Sequence, residues 1–258
     1  MTDDATLLAS LPALGFGFVL VLARVAACIM LLPGIGEAEV PAPVRAGFAA
    51  LLTLLLLPVV QPTLLAPPDS PAGTLLLIAS ETLVGLWLGW LARLVLLALP
   101  LAGQLAASML GLSNIIQPDP VLGAQSTALA RLFALAAPVV VLATGLHALP
   151  LAALAGSYTV FPPGAGLPGA DAADVVVEAV AASFAMGLQL AAPFVLASIV
   201  WQVGLGVLAR LVPQLQVYFA ALPGQILGGL LLLGLFAAAM LETWREHVGE
   251  TLSALPGL

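Results

Sequence analysis

Residues 74–112 read TLLLIASETLVGLWLGWLARLVLLALPLAGQLAASMLGL, a stretch whose only ionisable side chains are Glu81 and Arg93. As one helix at 1.5 Å per residue it would run about 58 Å, against about 30 Å of bilayer hydrocarbon. A soluble globule needs a charged exterior and has no use for so much apolar surface. Lipid accepts it. Pro100 lies inside the stretch, removes a backbone hydrogen bond and predicts a kink or break there.

The rest of the chain repeats this character. Of 258 residues, 62% are hydrophobic and 7% charged, where a typical soluble domain carries about 25% charged residues. Six spans follow, at roughly 11–33, 45–61, 74–112, 126–156, 174–208 and 220–244. Turn chemistry separates them: Pro33-Gly34-Ile35-Gly36-Glu37, Pro41 and Pro43, Pro62, Pro67-Pro68-Asp69-Ser70-Pro71, and Phe161-Pro162-Pro163-Gly164 through Pro168-Gly169. Asp171 and Asp174 stand where an N-cap and a first-turn carboxylate would start the fifth span. That span is again too long for a simple crossing, about 52 Å if helical throughout, and Pro193 predicts a second kink. The fold class is therefore all-α. The expected protein is a polytopic integral membrane protein of about six long, partly kinked hydrophobic helices arranged as hairpins. Residues 1–258 read as a single membrane domain.

Charge narrows the function. The net charge is −7, with no lysine, so nucleic acid is not an expected partner. The acidic N-terminus (Thr2, Asp3, Asp4) does not read as a secretory signal, so the first apolar stretch is expected to remain as a span. Arg45, Arg131 and Arg210 lie at or near odd-numbered loops and Arg245 in the tail. By the positive-inside rule three of these four put the odd loops in the cytoplasm. The single cysteine, Cys28, excludes disulfide and thiolate-metal frameworks and reads as a small buried apolar residue. His147 and His247 show no metal or catalytic spacing, and neither a nucleophile elbow nor a phosphate-cradling loop is present. An enzyme is not expected, and no cofactor.

Polar residues inside spans are expensive, so each is a candidate functional residue. Arg24 sits in the first span, and Glu81 and Arg93 in the third. Glu81 and Arg93 are about 120° out of phase on an ideal helix, which points to partners on other segments. A satisfied ion pair and a proton relay are both open. Gly85 and Gly89, Gly103 with Ala107 and Gly111, and Gly224 and Gly228 repeat at four-residue spacing, which allows close backbone approach between helices. The most unusual segment is Gly111-Leu112-Ser113-Asn114-Ile115-Ile116-Gln117-Pro118-Asp119-Pro120-Val121-Leu122-Gly123. Its glycines, its two prolines and the polar Ser113, Asn114, Gln117 and Asp119 make it a non-helical interruption between two apolar segments. It is either a connecting loop or a loop folded back as a plug.

In order and spacing these signals resemble one family. Arg24, Pro33-Gly34 and Pro41 through Arg45 resemble the N-terminal pattern of the FliR family of type III secretion export-gate subunits, flagellar and virulence. Glu81 with Gly85 and Gly89, then Gly111 and Asp119-Pro120, resemble its middle. Phe184 through Pro193, then Arg210-Leu211-Val212-Pro213-Gln214-Leu215-Gln216-Val217-Tyr218-Phe219, then Leu222-Pro223 and Ile226, resemble its late region. Gln216 stands where the family usually has Asn, and Gln225 where a basic residue is common. The resemblance implies a non-enzymatic subunit of the bacterial inner membrane, in a complex with FliP-like and FliQ-like subunits. FlhB-like and FlhA-like export components would act at its cytoplasmic side, and unfolded proteins would pass. It also implies that residues 111–123 form the pore's plug; the short segment after the last span fits the flagellar branch. A small-solute or ion transporter is the alternative. It would show internal repeats with matching Gly/Pro breaks, and Pro100 and Pro193 give only a faint hint of two halves.

Overall fold

The computed structural model describes residues 2–111, 127–211 and 217–258, and the side chains among them outside 2–10 and 217–220. The described residues are helical and include no strand. In chain order the helices are α1 (Thr2–Ile29), α2 (Ala42–Val60), α3 (Pro71–Leu94), α4 (Ala98–Met109), α5 (Ala128–Ala143), α6 (Ala148–Val160), α7 (Gly169–Leu211) and α8 (Val217–Ser253). Five helical runs have the length and apolarity to cross a membrane, with mean hydropathy between 1.8 and 2.0. The bent pair α5–α6 counts as a sixth. The protein is an all-α, multi-pass membrane protein.

Local chemistry sets most boundaries. The chain leaves α1 through a turn in which Gly34 has φ +84°, a backbone state closed to most side chains. Pro41 caps α2 and Pro43 lies in its first turn, where a missing N–H costs nothing because no intrahelical acceptor waits for it. Pro100 has no N–H to return to the Leu96 carbonyl, and just ahead of it the chain tightens into a 3₁₀ turn at Val95–Leu97.

The expected span 126–156 is bent: α5 and α6 meet at 70°, with Gly145 at φ +76° between them. Pro193 lies inside α7, which runs on through it as 43 continuous helical residues. At 1.5 Å per residue that is about 64 Å, twice the hydrocarbon thickness of a bilayer.

The chain forms two compact units. The first comprises Met1–Leu94, Val141–Ala179 and Glu250–Leu258. Its core joins Val21, Val25, Cys28 and Ile29 of α1 to Ala49 and Leu56 of α2, Val84 and Leu88 of α3, and Leu154 and Tyr158 of α6. The α1 residues recur at three- and four-residue spacing and so form one apolar stripe, against which α3 packs most extensively. The second unit comprises Val95–Val140 and Val180–Gly249. Ala98, Ala102 and Ala106 on α4, Phe133 and Ala137 on α5, and Leu190 and Phe194 on α7 are buried in it.

Candidate functional site

Arg24 and Glu81 lie in the first unit with 0% and 1% of their side chains exposed. The Arg24 Nε donates to Glu81 Oε2 at 2.7 Å. Its Nη1 donates to the Ser157 hydroxyl at 3.2 Å and its Nη2 to the Phe161 carbonyl at 2.9 Å. The guanidinium also sits 4.2 Å from the centroid of the Tyr158 ring, a favourable place for a cation. The other Glu81 oxygen, Oε1, accepts the backbone N–H of Gly164 at 3.1 Å. Both charges are therefore hydrogen-bonded as well as paired, which is what makes a buried ion pair tolerable. Glu81 thus has its counter-charge in direct contact. The arrangement is an electrostatic clasp joining α1, α3, α6 and the loop after α6.

That loop is held a second time from α3. Trp87 meets Phe161 edge-on at 5.7 Å and donates its Nε1–H to the Ala172 carbonyl at 2.9 Å. Arg93, three turns beyond Glu81, does not meet it. Its Nη2 pairs with Glu37 at 3.1 Å and its Nη1 reaches the Leu31 carbonyl at 3.5 Å. This pair is 30% and 17% exposed. Both charges of α3 thus find partners on α1 or the turn that follows it. Ser157, Phe161, Gly164 and Glu37 were not singled out in the sequence. Glu37 could have been, as a carboxylate beside the Pro33–Gly36 turn.

The small residues fall into distinct groups. Gly85 faces the Arg24 carbonyl so closely that an added Cβ would overlap it. At Gly89 the same atom would lie 2.6 Å from the Cys28 carbonyl oxygen. These two glycines form the α1–α3 seam inside this chain and bring Arg24 within reach of Glu81. Gly103 packs on α5, where a Cβ would meet Phe133 at 2.7 Å. Gly224 would make ordinary contact with Trp201 at 3.4 Å. A Cβ on Gly228 would meet nothing within 4 Å inside this chain, whereas its neighbour Gly229 packs against Leu110.

Of the candidate plug residues only Gly111 is described, with φ +72°. Ser113, Asn114, Gln117, Pro118, Asp119 and Pro120 lie outside the described residues. Both flanks of that segment are fastened by glutamine side chains. Gln225 donates to the Met109 carbonyl at 3.0 Å. Gln104 accepts from the backbone N–H and the hydroxyl of Thr127, each at 3.0 Å. The Thr127 hydroxyl in turn accepts the Ala130 N–H and caps α5.

The longest helices are the barest. Only 17% of the most apolar window of α7 and 11% of that of α8 are buried within the chain, against 61% for Pro71–Met109. Between α7 and α8 in the second unit lies an apolar groove of about 690 Å³, lined by Val200, Trp201, Gly204, Leu208, Ala221 and Leu232 among others. Among the described residues no three His, Cys, Asp or Glu side chains converge as metal ligands would.

The model of the family "bacterial export proteins, family 1" matches residues 16–251. The chain is 37% identical to the flagellar biosynthetic protein FliR of Caulobacter vibrioides over 233 residues, 90% of this chain and 93% of that one. It is 29% identical to the FliR of Bacillus subtilis over 246 residues, 93% of each chain. It is 27% identical to the FliR of Escherichia coli K12 over 232 residues, 88% of this chain and 86% of that one.

Proposed function

The chain belongs to the bacterial export proteins, family 1, and on that footing we propose that it is a pore or gate subunit of a flagellar type III export apparatus in the inner membrane. The observation that carries this reading is the 37% identity to the Caulobacter vibrioides FliR, spread over 90% of the chain. The bare apolar flanks of α7 and α8 support it, since helices so little buried in their own chain offer their surface to other helices or to lipid. The whole chain, 1–258, acts as one non-enzymatic membrane subunit. Its partners are FliP-like and FliQ-like subunits beside it, with FlhB-like and FlhA-like components at the cytoplasmic side. Unfolded flagellar proteins are the cargo. A wall poor in charge and aromatic side chains suits such cargo, because a passage that binds a segment tightly does not release it.

Residues 111–123 serve as the plug. The support is their composition and the anchoring of both flanks by Gln225 and Gln104. Arg24 and Glu81 hold the scaffold, and the glycines of the α1–α3 seam set its spacing. The test is deletion of the gene in its own bacterium. Loss of flagellar protein secretion, restored by the intact gene, supports the reading. Normal secretion without the gene overturns it.

A further inference from the structure

The end of the first unit, Glu250–Leu258, folds back onto α6 through two glycines. Gly156, on α6, faces the Gly257 carbonyl with no room for a side chain; a Cβ there would overlap the carbonyl oxygen and lie 2.8 Å from its carbon. Gly257 has φ +105°, which L side chains rarely adopt. A Cβ on it would stand 2.8 Å from the Ser157 backbone nitrogen. Leu252 and Leu255 anchor the segment, 0% and 7% exposed. Turn hydrogen bonds from Leu255 N–H to the Leu252 carbonyl and from Leu258 N–H to the Leu255 carbonyl hold its shape.

The same turn of α6 carries two of the acceptors of Arg24, the Ser157 hydroxyl and the Phe161 carbonyl. Phe161 N–H donates to the Ser157 carbonyl at 2.8 Å, so the two move together. The segment and the buried ion pair therefore both rest on this turn of α6. None of the motifs carrying the family resemblance extends past Ile226.

We propose that Glu250–Leu258 is an intrachain strap: seated on Gly156 and Ser157, it presses the C-terminal turn of α6 onto Arg24 and keeps the first unit's core closed. The strap continues α8 without interruption, since the helix ends at Ser253. This inference stands whether or not the export reading does.

Cys28 is the only cysteine of the chain, is 1% exposed, and packs in the cluster that contains Leu154 and Tyr158 of α6. It reports any opening of that core. The experiment measures its rate of reaction with N-ethylmaleimide in the full-length protein in native membranes. Gly257→Val, Leu255→Ala and truncation after Ser253 are compared with the exposed-site control Ser253→Ala. A second reporter, Ala191→Cys in a Cys28→Ala background, probes a fully buried position of the second unit. The strap predicts labelling of Cys28 accelerated by about tenfold or more in the three strap variants, as local opening exposes it. The control and the Ala191 position keep their native rates. Native-rate labelling of Cys28 after truncation overturns the proposal, and so does equal acceleration at both positions, which signals general unfolding.

Discussion

Arg24 and Glu81, on α1 and α3, meet at 2.7 Å where neither water nor lipid reaches them. The Arg24 carbonyl lies directly over Gly85, one turn after Glu81 on α3. Backbone approach and ion pair are thus one construction: the glycine lets the helices close, and closing places the charges in contact.

Removing one member leaves the other buried and unpaired. Glu81→Gln is expected to destabilise the chain by about 3–5 kcal/mol, the usual range for a broken buried pair. An apolar double replacement, Arg24→Met with Glu81→Leu, recovers much of that loss. Thermal aggregation of the detergent-purified protein checks both. The pH profile of export should keep its shape in a surviving Glu81→Gln strain. A displaced profile with unchanged stability would instead make Glu81 a proton carrier.

Glu37 and Arg93 are partly exposed within the chain, unlike Arg24 and Glu81. Glu37→Gln is expected to change stability by less than about 1 kcal/mol, as for most exposed pairs. The same aggregation assay should barely separate it from the native chain. A loss as large as that of Glu81→Gln would show that assembly or lipid buries this pair.

Gly85→Leu places a side chain on the Arg24 carbonyl. Its expected effect is failure of the chain's own fold, seen as protease sensitivity and low yield before any partner is added. Gly228→Leu has open space around it and should leave the isolated chain intact. Loss of complex yield in Gly228→Leu alone would show that this face of α8 meets another subunit.

Deleting residues 113–119 is expected to leave assembly unchanged and make the inner membrane leak ions or small solutes. Gln225→Ala or Gln104→Ala should give a weaker leak, because each releases one flank. Conductance of the assembled complex in planar bilayers is the measurement. Unchanged conductance in the deletion would return the segment to a plain connecting loop.

Much of the fold was legible because apolar length is a one-dimensional signal. Runs such as 74–112 declare a membrane helix without any knowledge of neighbours. The phase of Glu81 and Arg93 on one helix likewise pointed each away from the other and toward other segments. What stayed illegible depends on contacts far apart in sequence. Nothing local marks Ser157, Phe161 or the Gly164 N–H as partners of Arg24 and Glu81, since a backbone carbonyl acceptor has no sequence signature. A single lost hydrogen bond need not end a helix, and α7 continues through Pro193. The 70° bend after α5 was missed because Gly145 is one glycine among many, and only its φ of +76° shows its use. Gly228 and Gly229 are adjacent, and spacing alone does not say which of them packs inside the chain, against Leu110.

Membership of an export complex is tested most directly by tagging the chain, extracting native membranes in mild detergent and weighing the intact assembly by native mass spectrometry. The expected result is a large complex with one copy of this chain and several copies of two smaller membrane proteins. A stable monomer or homodimer under the same conditions would contradict it.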